Sequence, residues 1–301
     1  MRLVMVHGRD QQGKNPEQLC ETWIRSLNYG LAKNNLAPIS SADVEVVFPY
    51  YGDVLAGLVA ELRKPPPEII TKGSNGAGSA LIEKIAQAQA EVMREFLGQE
   101  RIELPDDEVV PKGIQNSSPV LALARLADDS FFGQALLSQL TEDVVVYLSV
   151  EAVQRQVNVI VREAINDHPC IVVGHSLGSV VAYRVLRALG TQSNVVKFVT
   201  IGSPLGLATI RKLLLPPALE HPAGVKSWFN AYDARDIVSL FPLDSATWPV
   251  TPQIKNCGEI VNHTENCHGI SGYLDDAAVA YEIHAAMQSE ASGLTDSELR
   301  V

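Results

Sequence analysis

Ser176 lies in a Gly-His-Ser-Leu-Gly segment at 174–178, which continues directly from the apolar run at 170–173. Such a short β-branched run predicts a buried strand, and the pattern after it predicts a helix over 180–189 that Gly190 ends. A serine on a tight turn between strand and helix holds its hydroxyl clear of the sheet, where a base and a substrate carbonyl can both reach it. A Cβ at either flanking glycine would crowd the turn, so the segment predicts a nucleophilic serine.

A nucleophilic serine needs a base to take its proton, because its hydroxyl is a weak nucleophile. Among the seven histidines, His268 is favoured because it opens a loop after the last predicted strand, and a loop lets an imidazole reach a serine on another strand. His263, in the same region, is the alternative.

The base in turn needs a carboxylate that fixes its tautomer and stabilises the imidazolium. A predicted strand at 226–232 leads into Asp233 and Asp236. Asp236 is favoured, since the apolar pair after it can anchor the loop with the carboxylate at the strand ends. Asp233 lies nearer the strand, where it can cap the turn, and is the alternative.

Acyl transfer also needs N–H donors directed at the developing oxyanion. The backbone N–H of Leu177, at the start of the helix, is the first predicted donor. The second is expected from the turn at 7–10, with the N–H of Arg9 preferred because Gly8 permits a close backbone approach.

The elements that must position these residues alternate along the chain. Short apolar runs predict strands at 3–6, 44–48, 170–173, 195–201, 226–232 and about 255–261. Helical patterns cover 18–31, 152–165, 180–189 and 275–287. The alternation indicates an α/β fold with a mostly parallel sheet covered on both faces.

Residues 53–148 interrupt the alternation with a proline run at 65–67 and helical patterns at 79–97 and in parts of 120–147. We therefore predict a core formed by 1–52 and 149–301 and a helical insertion between its second and third strands. The insertion is expected either to pack against the core or to cover a pocket as a cap, since such insertions often build the binding surface.

Composition excludes several classes of function. A net charge of -11 and a pI of about 5.1 argue against a nucleic-acid partner, which normally requires a basic face. No run approaches the roughly 18 apolar residues of a membrane span. The first apolar run is too short for a signal peptide, so the chain is expected in the cytoplasm without stable membrane insertion. The four cysteines lack zinc-site spacing, and no metal or organic cofactor is expected.

The order of these motifs resembles that of the α/β-hydrolase superfamily. The resemblance rests on His-Gly at 7–8, the serine segment at 174–178, Gly-Ser-Pro at 202–204, a later aspartate and His-Gly at 268–269. It covers about 1–52 and 149–288, and the serine segment is similar to that of the lipase and esterase branch. The His-Gly turn comes so early that the family's first two strands are missing, which implies a truncated six-stranded sheet of order 2-1-3-4-5-6. Ser176 is then expected where the strand order reverses.

The resemblance implies a serine hydrolase that cleaves a carboxylic ester through an acyl-enzyme. Ser176 would attack, His268 would act as base and then acid, and Asp236 would orient it. The substrate is expected to be a small or lipid-like acyl ester. Thioester or amide hydrolysis and acyl transfer use the same three residues and remain alternatives. A binding protein without activity on this fold is a further one.

Overall fold

The computed structural model describes residues 1–40, 44–63, 75–96, 142–165, 168–236, 238–239, 241–265 and 267–292. Of the predicted insertion, residues 64–74 and 97–141 lie outside the described residues. The cap function of the insertion therefore stays a prediction.

The strands follow one another in the order that the sequence predicts, and helices separate most of them. The strands are β1 Arg2–Val6, β2 Glu45–Val47, β3 Cys170–His175, β4 Val195–Ile201, β5 Val225–Ala231 and β6 Lys255–Cys257. The helices are α1 Pro16–Lys33, α2 Gly52–Arg63, α3 Asn75–Phe96, α4 Glu142–Ser149, α5 Glu151–Ala164, α6 Leu177–Leu189, α7 Ala208–Leu214, α8 Ile270–Leu274 and α9 Ala277–Ser292.

The six strands form one open sheet in which every neighbouring pair is parallel, in the order β2-β1-β3-β4-β5-β6. This confirms the predicted α/β class and strand order. The strand order reverses between β1 and β3, and crevices open at the carboxyl ends of strands at such a point. The central strands β3 and β4 are buried along their whole length, as expected for strands covered on both faces.

The sixth strand is shorter than predicted and ends at Cys257 instead of about residue 261. After it, the backbone of Gly258 lies so close to the Tyr232 ring that a Cβ there would be 2.6 Å from ring atoms. The absence of a side chain at Gly258, the first residue after the strand, permits this close approach.

The last predicted helix, 275–287, corresponds to α9, and the short helix α8 before it was not predicted. The carboxylate of Asp276 accepts the N–H of Ala278 at 2.8 Å and caps the start of α9. Aspartate at a cap competes with continuous helix, which explains the break between Leu274 and Ala277.

One face of the sheet is covered by α1 and α9. Leu27 and Leu31 of α1 and Val279 and Ile283 of α9 join the inward side chains of β1, β3, β4 and β5 in one buried cluster. The helix α6 packs against β1 and β3 with other side chains. Together these contacts fix the strand ends that carry the candidate site.

A ladder of polar side chains crosses three neighbouring strands. Thr200, Asn230 and Asn256 are direct partners in the registers of β4, β5 and β6. The Thr200 hydroxyl donates to Asn230 Oδ1 at 2.8 Å, and Asn230 Nδ2 donates to Asn256 Oδ1 at 2.9 Å. Trp228 Nε1 donates to Thr200 Oγ1 at 3.0 Å, and Asn256 Nδ2 donates to the Leu243 carbonyl at 2.9 Å.

A buried ion pair joins β4 to α9. Lys197 Nζ lies 2.7 Å from Glu282 Oε2, with side-chain exposures of 4% and 8%, and Lys255 of β6 bonds the other oxygen of the same carboxylate. Burial by itself raises the pKa of Glu282, but the two ammonium groups outweigh it and lower that pKa. The carboxylate is therefore charged in the folded protein near neutral pH.

The chain divides into two compact units. The first comprises Met1–Asp53, Gln156–Gly206 and Pro216–Val301, and it contains all six strands. The second comprises Val54–Arg155 with Leu207–Leu215. Inside the second unit, the Glu95 carboxylate accepts the first-turn N–H groups of α7, at 3.0 Å for Thr209, which joins α3 to α7. Across the described part of the chain, no single helix has the length and apolar character needed to cross a membrane.

Candidate active site

Ser176 lies between β3, which ends at His175, and α6, which begins at Leu177. Its backbone has φ 52° and ψ -128°, a region that side-chain-bearing residues rarely adopt and that costs about 1–3 kcal/mol. The Ser176 N–H donates to the Ile201 carbonyl at 3.2 Å. The turn is therefore strained, and β4 holds it in place.

The two glycines beside Ser176 lie where a side chain would not fit. A Cβ on Gly174 would lie 2.7 Å from Ser179 Cα, and a Cβ on Gly178 would overlap the Val6 carbonyl oxygen. Both approaches are much closer than van der Waals contact. The prediction that a Cβ at either position would crowd the turn is confirmed.

His268 lies beside Ser176 although the two are far apart in sequence. Its Nε2 is 3.0 Å from Ser176 Oγ, and its Nδ1 is 2.8 Å from Asp236 Oδ2. An ionised carboxylate only accepts hydrogen bonds, so Nδ1 carries the proton and donates to Asp236. The lone pair of Nε2 then faces the serine hydroxyl, as proton abstraction requires.

The alternative candidates lie elsewhere. The carboxylate of Asp233 accepts the Arg235 guanidinium at 2.6 Å and the Asn262 N–H at 2.6 Å. Burial alone raises the pKa of Asp233, but the bonds from Arg235 and Asn262 outweigh it and lower that pKa. His263 is largely exposed, and its Nδ1 lies 3.6 Å from an Asp275 carboxylate oxygen. The structure thus places Asp236 and His268 in the hydrogen-bonded series with Ser176. The alternatives Asp233 and His263 are not part of that series.

The carboxylate of Asp236 is fully buried and accepts several hydrogen bonds. Oδ2 accepts from Tyr273 Oη at 2.6 Å and from Ser239 Oγ at 3.0 Å, in addition to His268. Oδ1 accepts the Val238 N–H at 2.9 Å. Burial alone raises the pKa of Asp236. The charge of His268 and these donors outweigh burial and lower that pKa, so the group is a carboxylate.

His175, immediately before Ser176, contacts the backbone of His268. Its Nε2 lies 2.8 Å from the His268 carbonyl oxygen and therefore donates to it. The two imidazole rings lie 4.8 Å apart. Burial, and next the proximity of His268, lower the pKa of His175 to about 3. His175 is therefore neutral and holds the His268 loop in position.

The predicted oxyanion donors come from two chain segments. Leu177 opens α6, and the first N–H groups of a helix have no intrahelical acceptor. The backbone of Gly8 lies against the elbow, since a Cβ there would be 3.0 Å from Ser176 Cβ. Arg9 directly follows it, with its guanidinium 2.5 Å from the Asp10 carboxylate. The structure thus brings both predicted segments to Ser176.

His7 fixes the turn that contains Gly8. Its Nδ1 donates to the Gly8 carbonyl at 2.6 Å, and its Nε2 accepts the Tyr51 N–H at 3.1 Å. The Tyr51 ring stacks on the imidazole at 4.1 Å and its hydroxyl bonds the His7 carbonyl. Burial lowers the pKa of His7 to about 4, so the ring is neutral. It supports the backbone and holds no charge near the site.

Ser179 and Ser203 join the start of α6 to the loop after β4. Ser179 Oγ donates to the Ser176 carbonyl at 2.6 Å and lies 2.7 Å from Ser203 Oγ. Because the Ser179 proton goes to the Ser176 carbonyl, Ser203 donates to Ser179, and Ser203 Oγ accepts the Leu205 N–H at 3.2 Å. Both serines are buried.

Sequence reasoning missed the supporting residues around the three central side chains. These residues are His7, His175, Ser179, Ser203, Ser239 and Tyr273. Most of them lie within a few residues of a predicted motif, and that proximity is a signal that such positions hold the motif in place. Tyr273 gives no such signal, because its spacing from His268 does not show that its hydroxyl reaches the Asp236 carboxylate.

The central side chains are closely enclosed. Ser176 is 1% exposed and His268 is 7% exposed. Among the residues that the structure describes, no group of three or more histidine, cysteine, aspartate or glutamate side chains could hold a metal ion. The cluster has the order of hydroxyl, imidazole and carboxylate that nucleophilic catalysis by serine requires.

No protein-family model matches the chain, and no curated protein is significantly similar to it in sequence.

Proposed function

We propose that this chain is a serine hydrolase that cleaves carboxylic esters through an acyl-enzyme, on a core of the α/β-hydrolase type. One observation carries the proposal. Ser176 Oγ, His268 and Asp236 form a continuous hydrogen-bonded series, with distances of 3.0 Å and 2.8 Å, on a strained strand-to-helix turn. This is the arrangement that activates a serine for attack on a carbonyl.

In the first half of the reaction, His268 Nε2 takes the Ser176 proton as Oγ bonds to the ester carbonyl carbon. The carbonyl oxygen becomes an oxyanion, for which the N–H groups of Leu177 and Arg9 are the proposed donors. Asp236 stabilises the imidazolium. The C–O bond to the alcohol then breaks, and the alkoxide takes the proton from Nε2 as it leaves.

In the second half, water attacks the acyl-enzyme. His268 removes a proton from the water and returns it to Ser176 Oγ as the carboxylic acid is released. No step in this sequence requires a redox change, and each proton passes through the same nitrogen. Enclosure of the three side chains strengthens the interactions with the developing charges, since the local dielectric constant is low.

The ester assignment is supported by the likeness of the serine segment at 174–178 to that of lipases and esterases. Thioesters and amides pass through similar tetrahedral intermediates, so substrate profiling distinguishes them. We expect p-nitrophenyl esters of graded acyl length to be hydrolysed. Turnover confined to acyl-CoA or amide substrates would replace the ester assignment with one of these alternatives.

A fluorophosphonate probe tests the nucleophile directly, because it reacts only with an activated serine. We expect the wild type to be labelled and Ser176→Ala to be unlabelled. Ser193→Ala is the matched control, because Ser193 is also buried and bonds a carbonyl at the far end of α6. Labelling of folded Ser176→Ala, or failure of the folded wild type to react, would refute the proposal.

A further inference from the structure

Tyr273 lies on α8, in the same segment as the proposed base, and its side chain is fully buried. Its hydroxyl oxygen is 2.6 Å from Asp236 Oδ2, the same oxygen that accepts His268 Nδ1–H. The segment from His268 to Tyr273 therefore contacts the Asp236 carboxylate twice, once through the imidazole and once through the phenol.

The direction of each hydrogen bond follows from its partners. The backbone N–H of Asp233 donates to Tyr273 Oη at 3.1 Å, so the phenol proton is left for another acceptor. Asp236 is a carboxylate and can only accept, so Tyr273 donates to it. Burial and the adjacent Asp236 charge both raise the pKa of Tyr273, and the phenol therefore keeps its proton throughout the working range.

Gly202 makes the approach of these rings possible. It has φ +54°, and a Cβ there would lie 3.0 Å from a Tyr273 ring carbon and 3.2 Å from His268 ring atoms. The backbone after β4 thus packs directly against both rings. Contact on this side and the bond to Asp236 on the other leave Tyr273 little freedom.

We propose that Tyr273 is a positioning residue of the active site. It orients the Asp236 carboxylate and weakens the electrostatic interaction of that carboxylate with protonated His268. The inference rests on the proposed function and deepens it. Hydrogen bonds to a charged acceptor are about twice as strong as neutral ones, so the phenol takes a substantial share of the carboxylate charge. His268 then returns its proton to the leaving group more readily.

The inference predicts an effect on pH dependence. Without the phenol donor, the full carboxylate charge acts on His268 and favours its protonated form. The acid limb of the kcat/KM profile then moves to higher pH. We expect a displacement of about 0.5–1 pH unit, because only part of the free energy of a hydrogen bond to a charged group is transferred to the protonation of His268. We also expect kcat to fall about tenfold with KM within about twofold, because the carboxylate orientation acts on the chemical step.

Among the described residues, other ionisable groups face this cluster from four segments, and three of them keep one charge state over the acid limb. His175 lies 6.1 Å from the Tyr273 ring and stays neutral, since burial holds its pKa at about 3. His7, on the turn after β1, is neutral because its pKa is about 4. Asp233 is held as a carboxylate by Arg235.

The remaining ionisable neighbour is Cys267, which precedes His268 and lies near Arg235. Cys267→Ser is the control variant for this thiol. We expect it to have the acid limb of the wild type, which assigns the movement in Tyr273→Phe to the pair of His268 and Asp236.

The test compares Tyr273→Phe with Tyr183→Phe. Tyr183 is an equally buried tyrosine whose hydroxyl bonds the backbone of Glu220 at 3.2 Å, so its variant also loses a buried phenol hydroxyl, but one with a neutral partner. Only Tyr273→Phe is expected to lower kcat and to move the acid limb of the kcat/KM profile to higher pH. Equal behaviour of the two folded variants, in both kcat and pH profile, would overturn the inference.

A second measurement makes the result independent of turnover. Nuclear magnetic resonance of protein labelled with ¹⁵N-histidine follows the imidazole titration assigned to His268 by its loss in His268→Gln. We expect the midpoint to rise in Tyr273→Phe even if the wild type cleaves no ester, so failure of the proposed function and failure of this inference are separate outcomes. An unchanged midpoint would refute the role of Tyr273.

If Tyr273→Phe does not fold, site-specific 3-fluorotyrosine at this position keeps the ring and strengthens the donor. The stronger donor is expected to move the His268 midpoint in the opposite direction, to lower pH. A midpoint equal to that of the wild type would again contradict the inference.

Discussion

Asp236→Asn removes one charge and changes little else in the shape of the side chain. Its amide nitrogen must replace one of the two carboxylate oxygens. At Oδ1 the nitrogen faces the Val238 N–H at 2.9 Å, and at Oδ2 it faces the donors His268, Tyr273 and Ser239. Both positions only accept hydrogen bonds in the wild type, so either orientation places a donor against a donor.

The expected loss follows from the two orientations. With the amide oxygen at Oδ2, His268 keeps its tautomer but the imidazolium loses its negative partner. With the amide nitrogen there, Nδ1 must accept and Nε2 presents a proton to Ser176, so the base is lost. Because an asparagine in this role costs about 10⁴ in kcat, we expect a loss of about 10³–10⁴ in kcat/KM, or about 4–5.5 kcal/mol.

The assay is p-nitrophenyl ester hydrolysis, and Asp233→Asn is the matched control. Asp233 undergoes the same charge change on the same loop, but its carboxylate bonds Arg235 and Asn262. We expect its variant to lose about 1–3 kcal/mol of unfolding free energy and to keep kcat/KM within about threefold. Activity of Asp236→Asn above a tenth of wild type, or an equal loss in folded Asp233→Asn, would refute the assignment.

Two further predictions concern stability. Glu282→Gln removes the carboxylate that partners buried Lys197 and is expected to cost about 3–5 kcal/mol near pH 7, measured by urea unfolding. Folding lowers the pKa of Glu282 below its ordinary value of 4.5. The wild type therefore loses this contribution to its stability as the pH falls below 4.5. A difference in unfolding free energy between the wild type and Glu282→Gln that stays constant down to pH 3 would contradict this. Gly178→Ala is expected to destabilise the protein by about 1–3 kcal/mol through overlap with the Val6 carbonyl. Gly57→Ala in α2, where a Cβ meets nothing within 4 Å, is expected to stabilise it by about 0.5–1 kcal/mol; equal thermal midpoints of the two variants would show that the close approach at Gly178 carries no cost.

The sheet and the central residues of the candidate site were predictable because their signals are local. A β-branched run such as 170–173 predicts a buried strand by itself, and Gly174 and Gly178 mark a turn where a Cβ does not fit. The connections then restrict the strand order to few choices. His268 could be favoured over His263 because a loop position permits reach.

The choice between Asp233 and Asp236 had a weaker basis, because both follow the same strand. What separates them is long-range: Arg235 and Asn262 bond one carboxylate, while His268 and Tyr273 bond the other. Sequence spacing does not reveal which donors meet a carboxylate from distant segments. The role of Tyr273 was inaccessible for the same reason.

The polar ladder of Thr200, Asn230 and Asn256 has a consequence for the accuracy of the site. Asp236 and His268 reach Ser176 from loops that follow β5 and β6, so errors in strand alignment pass directly to them. A slip of two residues keeps each side chain on its own face of the sheet but moves a strand end by about 6.6 Å, more than twice the hydrogen-bond lengths at the site. Apolar neighbours tolerate such a slip more readily than matched amides and a hydroxyl, which would lose their partners. The ladder thus helps to fix the strand alignment, and with it the distances between Ser176, His268 and Asp236 on which the proposed reaction depends.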